Sequence, residues 1–357
     1  MPNKLPLGKV QTVLGPIEPE KLGATLTHEH LLIDLRNVVP TPPTGAWQRG
    51  LYEAKLTSDN IAWFRHHGMF NVDNYLLEDL DTAVNEALLY KRSGGQALVD
   101  ATNQDIGRDP LGLAAIAQQT GLNIIMGASH YVNVAHPPEM AKWTEDDIVE
   151  QIVGDISIGV DGTDIKSGVI GEVGCSWPLT PNERKVVRAA GRAQRITGAP
   201  ILIHPGRDET APLEIIEVLS EVGADLSHTI MGHLDRTVFE RATLKSIAEA
   251  GCFLEWDLFG REQSYYWANQ KIDMPHDAQR MDDIAWISGQ GYADRILVAH
   301  DICTKDRLLK YGGHGYHYFL SHIVPRMKKR GYTQEAIDKM LVANPAKALT
   351  FHQPKRR

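Results

Sequence analysis

The chain has 357 residues, 43% hydrophobic and 23% charged, a balance that suits one large α/β domain or two smaller ones. Its 37 Lys and Arg against 45 Asp and Glu leave a formal charge of −8, which argues against a general nucleic-acid surface. No apolar run approaches the roughly 18 residues of a membrane span. No leader pattern opens the sequence, and Cys175, Cys252 and Cys303 are too scattered for a disulfide framework, so the expected location is cytoplasmic with no membrane partner.

Residues 8–24 read as a short β preface: Lys9-Val-Gln-Thr-Val-Leu14, then a Gly15-Pro16 turn. From there apolar runs alternate with helix-period segments. The runs are Thr25–Asp34, Ala97–Thr102, Asn123–Ser129, Gly168–Gly174, Pro200–Pro205, Thr229–Leu234, Cys252–Leu258 and Arg295–Asp301. Continuous apolarity over four to six positions, as in Ile201-Leu202-Ile203, is the mark of parallel strands buried on both faces. Helices are predicted over Leu80–Tyr90, Glu183–Thr197 behind the Thr180-Pro181 start, Ala211–Val222, Arg241–Ala250 and Gln279–Gly289. Strand then helix, repeated eight times, predicts a single (β/α)8 TIM barrel over 1–357. Residues 35–78, with Val39-Pro40-Thr41-Pro42-Pro43 and Trp47, Tyr52, Trp63, Phe64 and Phe70, read as an ordered excursion over one mouth of the barrel, a lid candidate.

In such a barrel, chemistry gathers at the C-terminal ends of the strands. Those ends carry His28 and His30 in Thr-Leu-Thr-His-Glu-His, Glu172 in Val-Ile-Gly-Glu-Val-Gly, His204 in Ile-Leu-Ile-His-Pro, His233 in Ile-Met-Gly-His-Leu and Asp301 in Val-Ala-His-Asp. Alternation points His28 and His30 one way and Glu29 the other. One histidine ending an apolar strand is ordinarily a hydrogen-bonded core residue. Six N/O donors at the same end of one barrel instead point to two divalent transition metals, zinc among the fitting ions, with Glu172 as a central bridge. Such a pair turns water into a nucleophile, and Asp301 is the candidate to hold it and carry its proton. His300 reads as structural, facing away from the site. Strands two, three and seven carry no comparable pattern.

These motifs, with Asn344-Pro-Ala-Lys-Ala348, resemble the phosphotriesterase branch of the amidohydrolase superfamily. Gly8–Gly15, Ile170–Leu179, His204–Arg207, His233–Thr237 and Tyr311–Tyr316 resemble its phosphotriesterase-related proteins. The resemblance implies a binuclear hydrolase in which His28, His30 and Asp301 hold one metal, His204 and His233 the other, and Glu172 lies between. It also implies cleavage of N-acetyltaurine and related N-acyl taurines to acetate and taurine. Two departures tell against phosphotriester chemistry: Glu172 stands where the true phosphotriesterases have a carboxylated lysine, and Leu258 and Arg236 stand where they have a His/Asp relay. Arg207, Arg236 and Lys305 are candidates for the anionic end of a small N-acyl substrate, and Tyr131 for its acyl end. A lactonase or esterase, or a non-catalytic metal-stabilised binding protein, are the alternatives, and a homodimer remains open.

Overall fold

The computed structural model describes residues 5–39, 41–67, 71–262, 266 and 268–354; Pro40 and Phe70 of the excursion lie outside these. An antiparallel hairpin, β1 Val10–Thr12 and β2 Gly15–Ile17, precedes the barrel. The barrel strands are β3 Thr25–Glu29, β6 Ala97–Asp100, β7 Asn123–Ala128, β8 Val169–Gly174, β9 Ile201–His204, β10 Thr229–Met231, β11 Phe253–Trp256 and β12 Ile296–Val298. They pair in parallel in the order β12-β11-β10-β9-β8-β7-β6-β3, the sequence order of a TIM barrel. β3 meets β12 through the Asp301 N–H, which donates to the His28 carbonyl at 3.0 Å.

Each strand hands over to helices on the outside. The predicted segments are α3 Leu80–Arg92, α6 Pro181–Thr197, α7 Ala211–Glu221, α9 Arg241–Glu249 and α10 Asp277–Ile287. Helix α6 shows why the boundaries were readable. Thr180 accepts from the Glu183 N–H in a capping box, Pro181 sits in the first turn, and Gly198 closes the helix at φ 73°. Two further helices, α4 Pro110–Thr120 and α5 Glu145–Ser157, complete the crossovers after β6 and β7. The short α8 Leu234–Thr237 follows β10, and α11 Val324–Lys329, α12 Gln334–Asp338 and α13 Asn344–Leu349 end the chain. The excursion is not one loop. It contains α1 Ala46–Glu53 and α2 Ile61–His67, and its ends are clipped together by a ladder of β4 Ile33–Asp34 with β5 Leu76–Leu77. Among the described residues no helix is long and apolar enough to cross a membrane.

The lumen is packed below the site by Val99, Ile125, Val169, Leu202, Ile230, Phe253 and Leu297, with Val10 of the hairpin and Leu349 of α13 beneath. Leu26, Leu98, Ile124, Ile170, Ile201, Met231, Leu254 and Ile296 join the outer core against the helices. Simple alternation from Leu26 would turn His28 outward with it. The register of β3 on β6 shifts between Leu26 and Glu29, however, and that irregularity brings His28 and His30 to the lumen. β8 slips likewise between Ile170 and Val173, presenting Glu172 inward. Gly171 permits this: a Cβ there would lie 2.4 Å from the Leu202 carbonyl oxygen.

Glu29, between the two histidines, is fully buried on the other face. It accepts from the His300 N–H at 2.8 Å, His300 Nδ1 at 2.7 Å and the Ile302 N–H at 3.1 Å, so it fastens the first strand to the segment after the last. Glu29→Ala leaves three buried donors unmet and is expected to cost about 3 kcal/mol of unfolding free energy. The check is a lower urea midpoint at unchanged slope; an unchanged midpoint would show that the barrel closes without this carboxylate.

Candidate active site

The six donors converge on one point in the lumen. Glu172 is the hub: Oε1 lies 3.3 Å from His30 Nε2, and Oε2 lies 3.5 Å from His28 Nε2, 2.7 Å from His204 Nδ1 and 3.6 Å from His233 Nε2. Asp301 Oδ1 lies 3.3 Å from His30 Nε2 and 4.0 Å from His28 Nε2. His28, His30 and Asp301 form one group of ligand atoms within 4.8 Å of one another, and Glu172, His204 and His233 form another. Local strain aims two of them. His233 (φ 53°) and Asp301 (φ 52°) sit in the left-handed region just past β10 and β12, at a cost of about 1–3 kcal/mol each that the surrounding structure must over-determine.

The groups behind the histidines decide which ring nitrogen faces inward. His233 Nδ1 lies 2.8 Å from Asp257 Oδ1; His28 Nδ1 lies 3.2 Å from Asp257 Oδ2 and 3.3 Å from Glu255 Oε2; His30 Nδ1 lies 2.9 Å from Thr102 Oγ1. With Nδ1–H donating outward, Nε2 of all three presents a lone pair to the centre. There it meets carboxylate oxygens, His28 Nε2 has no hydrogen-bond partner among the described residues, and His233 Nε2 faces His204 Nδ1 at 2.8 Å. Lone pairs aimed at carboxylates repel unless a positive charge lies between them. Without a metal Glu172 and Asp301 draw protons onto His28 and His30 against burial, and a divalent ion would take the place of those protons, so the donor set fits divalent metal ions. Charge is already arranged for it. Burial alone would push the Glu172 carboxyl up, but His204 and His28 hold it well below the usual carboxylate range. Asp301 is also lowered, against burial, with His30 the first of the groups that lower it.

Sequence reading missed the supports. Strand seven, which shows no histidine, supplies both Glu255 and Asp257, fully buried. The signal was there as Glu-Trp-Asp, two acids at i, i+2 in an otherwise apolar strand, which burial tolerates only with partners.

A cavity of about 260 Å³ opens above the cluster. Ile33, Leu35, Val38, Val132 and Val134 give it apolar walls, and Tyr131, Arg207, Arg236 and Leu258 line it too. Arg261 and Tyr266, which no motif singled out, complete it. Tyr131 stands edge-on to His204, with ring centroids 5.1 Å apart. Among the described residues none of the three arginines pairs with a carboxylate. Arg207 Nε donates to the Tyr266 hydroxyl at 2.7 Å, Arg236 is held by the Pro205 carbonyl and Thr237, and Arg261 lies over the Tyr266 ring at 5.6 Å. Burial would raise the Tyr266 phenol, yet Arg207, Arg236 and Arg261 together lower it. Lys305 is a correction. It lines no part of this cavity, because Asp73 of the excursion takes its ammonium at 2.9 Å.

Residues 8–349 match the model of the Phosphotriesterase family. An N-acetyltaurine hydrolase of Xenopus tropicalis is 46% identical over 345 residues, covering 96% of this chain and 98% of its own. Among solved structures, a resiniferatoxin-binding protein from Rhodobacter sphaeroides aligns with a TM-score of 0.92 at 35% identity over 98% of each chain. A lactonase from Listeria monocytogenes aligns with a TM-score of 0.78 at 28% identity, over 97% of this chain and 100% of its own.

Asp257 touches both His28 and His233 without facing the centre. Asp257→Asn is therefore expected to weaken divalent-metal binding about 10- to 100-fold, read as metal retained per chain after dialysis against graded chelator. Full retention would mean that the ring orientations are fixed by something else.

Proposed function

The chain belongs to the phosphotriesterase family of metal-dependent hydrolases, and we propose that it cleaves the amide bond of N-acetyltaurine and related N-acyl taurines, releasing a carboxylate and taurine. The observation that carries this reading is the sharing of one cavity by the donor cluster and three arginines that have no carboxylate partner among the described residues. Arg207 keeps one donor on Tyr266 and Arg236 keeps donors on Pro205, Thr237 and His204, but no carboxylate among the described residues answers their charge, and the ligand's own anion would do so. A sulfonate has three acceptor oxygens for them.

In this assignment His28, His30 and Asp301 would hold one zinc ion and His204 and His233 a second, with Glu172 shared by the two groups. Bound there, the metals polarise the substrate carbonyl and make water acidic enough to attack it near neutral pH. The chain's own groups do the rest. Asp301, held as a carboxylate by His30, accepts the proton of the attacking water and delivers it to the amide nitrogen as the C–N bond breaks. Arg207, Arg236 and Arg261 fix the sulfonate, and Tyr131 with the valine and leucine side chains of the opposite wall receives the acyl group. Phosphotriester turnover is disfavoured because Leu258 and Arg236 cannot take up a proton at neutral pH. A lactone is the competing substrate, supported by the same apolar wall.

A panel of N-acetyltaurine, a γ-lactone and a phosphotriester separates these readings. N-acetyltaurine hydrolysis is expected to dominate and to fall at least about 100-fold in Asp301→Asn. A lactone that turns over in an Asp301-dependent way while N-acetyltaurine is untouched would overturn the amidase reading. Arg207→Met is expected to raise KM for N-acetyltaurine about tenfold, the worth of one charge-assisted hydrogen bond, and to leave an uncharged amide unaffected. Equal losses on both substrates would assign Arg207 to packing.

A further inference from the structure

The Tyr311-Gly-Gly-His-Gly-Tyr316 loop takes no part in the chemistry above. It walls a recess of about 360 Å³, lined by Arg65, Gly260, Arg261, Asp306, Arg307 and His314 together with the loop glycines. Arg261 lines this recess and the catalytic cavity alike. We propose that the recess is a second binding site for a small oxyanion, sulfate-, phosphate- or sulfonate-like, that shares Arg261 with the catalytic cavity.

The recess is built by close backbone approach. A Cβ on Gly260 (φ 82°) would stand 2.6 Å from His314 Cδ2, and one on Gly313 would stand 2.1 Å from the Arg307 carbonyl carbon. Its charge is lopsided: three guanidinium groups face one carboxylate, Asp306, which already accepts from Asn74 Nδ2 at 2.9 Å. His314 adds no charge, because burial and then Arg307 push its pKa well below the ordinary value. Arg307 is fixed, donating to the Asp301 carbonyl at 2.5 Å, the Phe259 carbonyl at 3.2 Å and His314 Nε2 at 3.3 Å. Arg65 reaches in from the excursion and donates to the Gly312 carbonyl. Arg261 differs from both. Among the described residues its guanidinium meets no carboxylate or carbonyl, only the face of Tyr266, so its donors remain for an anion on either side. An anion in the recess competes for Arg261 with one in the cavity and, through Arg307, touches the backbone of Asp301.

The site rests on the amidase reading only for which anion fills it, since taurine would carry the right group. Calorimetric titration of the metal-loaded protein with sodium sulfate, and separately with taurine, tests it. Two classes of sulfate site are expected. Arg65→Ala should weaken the outer one about tenfold with kcat and KM unchanged, Arg207→Met should weaken the inner one alone, and Arg261→Met should weaken both. Sulfate binding without taurine binding at the outer site would identify a free inorganic anion as its ligand; taurine binding there would identify the product. A single class of site indifferent to Arg65→Ala overturns the proposal. A protein that binds two sulfates but leaves N-acetyltaurine intact would overturn the amidase reading and leave the recess standing.

Discussion

One carboxylate governs the interior of this barrel. Glu172 is 2% exposed, and its two oxygens lie within 3.6 Å of ring nitrogens from four histidines on three strands. A carboxylate so placed is tolerable only when its charge is answered. The answer is distributed through the fold: slips in the pairing of β3 and β8 bring the donors to the lumen, left-handed residues after β10 and β12 turn His233 and Asp301 inward, and Asp257, Glu255 and Thr102 orient the rings from behind. The same features make poor sense as packing. A core needing only stability would bury apolar side chains at these positions, as the lumen does one layer below.

Above the hub, charge separates by wall. Arginines and Tyr266 come from the loops after β9, β10 and β11, whereas the apolar side comes from the ends of β3 and β7 and the start of the excursion. The strands supply a rigid donor set, and the loops decide what reaches it.

Much of this was legible in the sequence because the strong signals were local. His28 and His30 stand at i, i+2 and lie together at the end of their strand, and the other donors lie at the ends of theirs, as His204 ends Ile-Leu-Ile. What escaped reading depends on contacts between distant segments. Glu255 and Asp257 stand out in the sequence as two acids in an apolar strand, but what they do shows only beside histidines more than twenty residues away. Arg261 and Tyr266 lie in a segment without periodicity, and their role comes from the cavity they enclose. Lys305 failed for the same reason in reverse: position after Asp301 favoured the site, but Asp73, brought over by the excursion, claimed it. The turn from Leu26 outward to His28 inward needs a bulge that no alternation pattern announces.

The central proposal is that Glu172 would lie between two metal ions held by the remaining five ligands. Anomalous diffraction from crystals of protein purified with zinc tests it most directly. The account predicts two anomalous peaks of comparable height, one on each side of the Glu172 carboxylate, the first contacting His28, His30 and Asp301 and the second His204 and His233. A single peak, or two peaks that leave Glu172 uncoordinated, would contradict it.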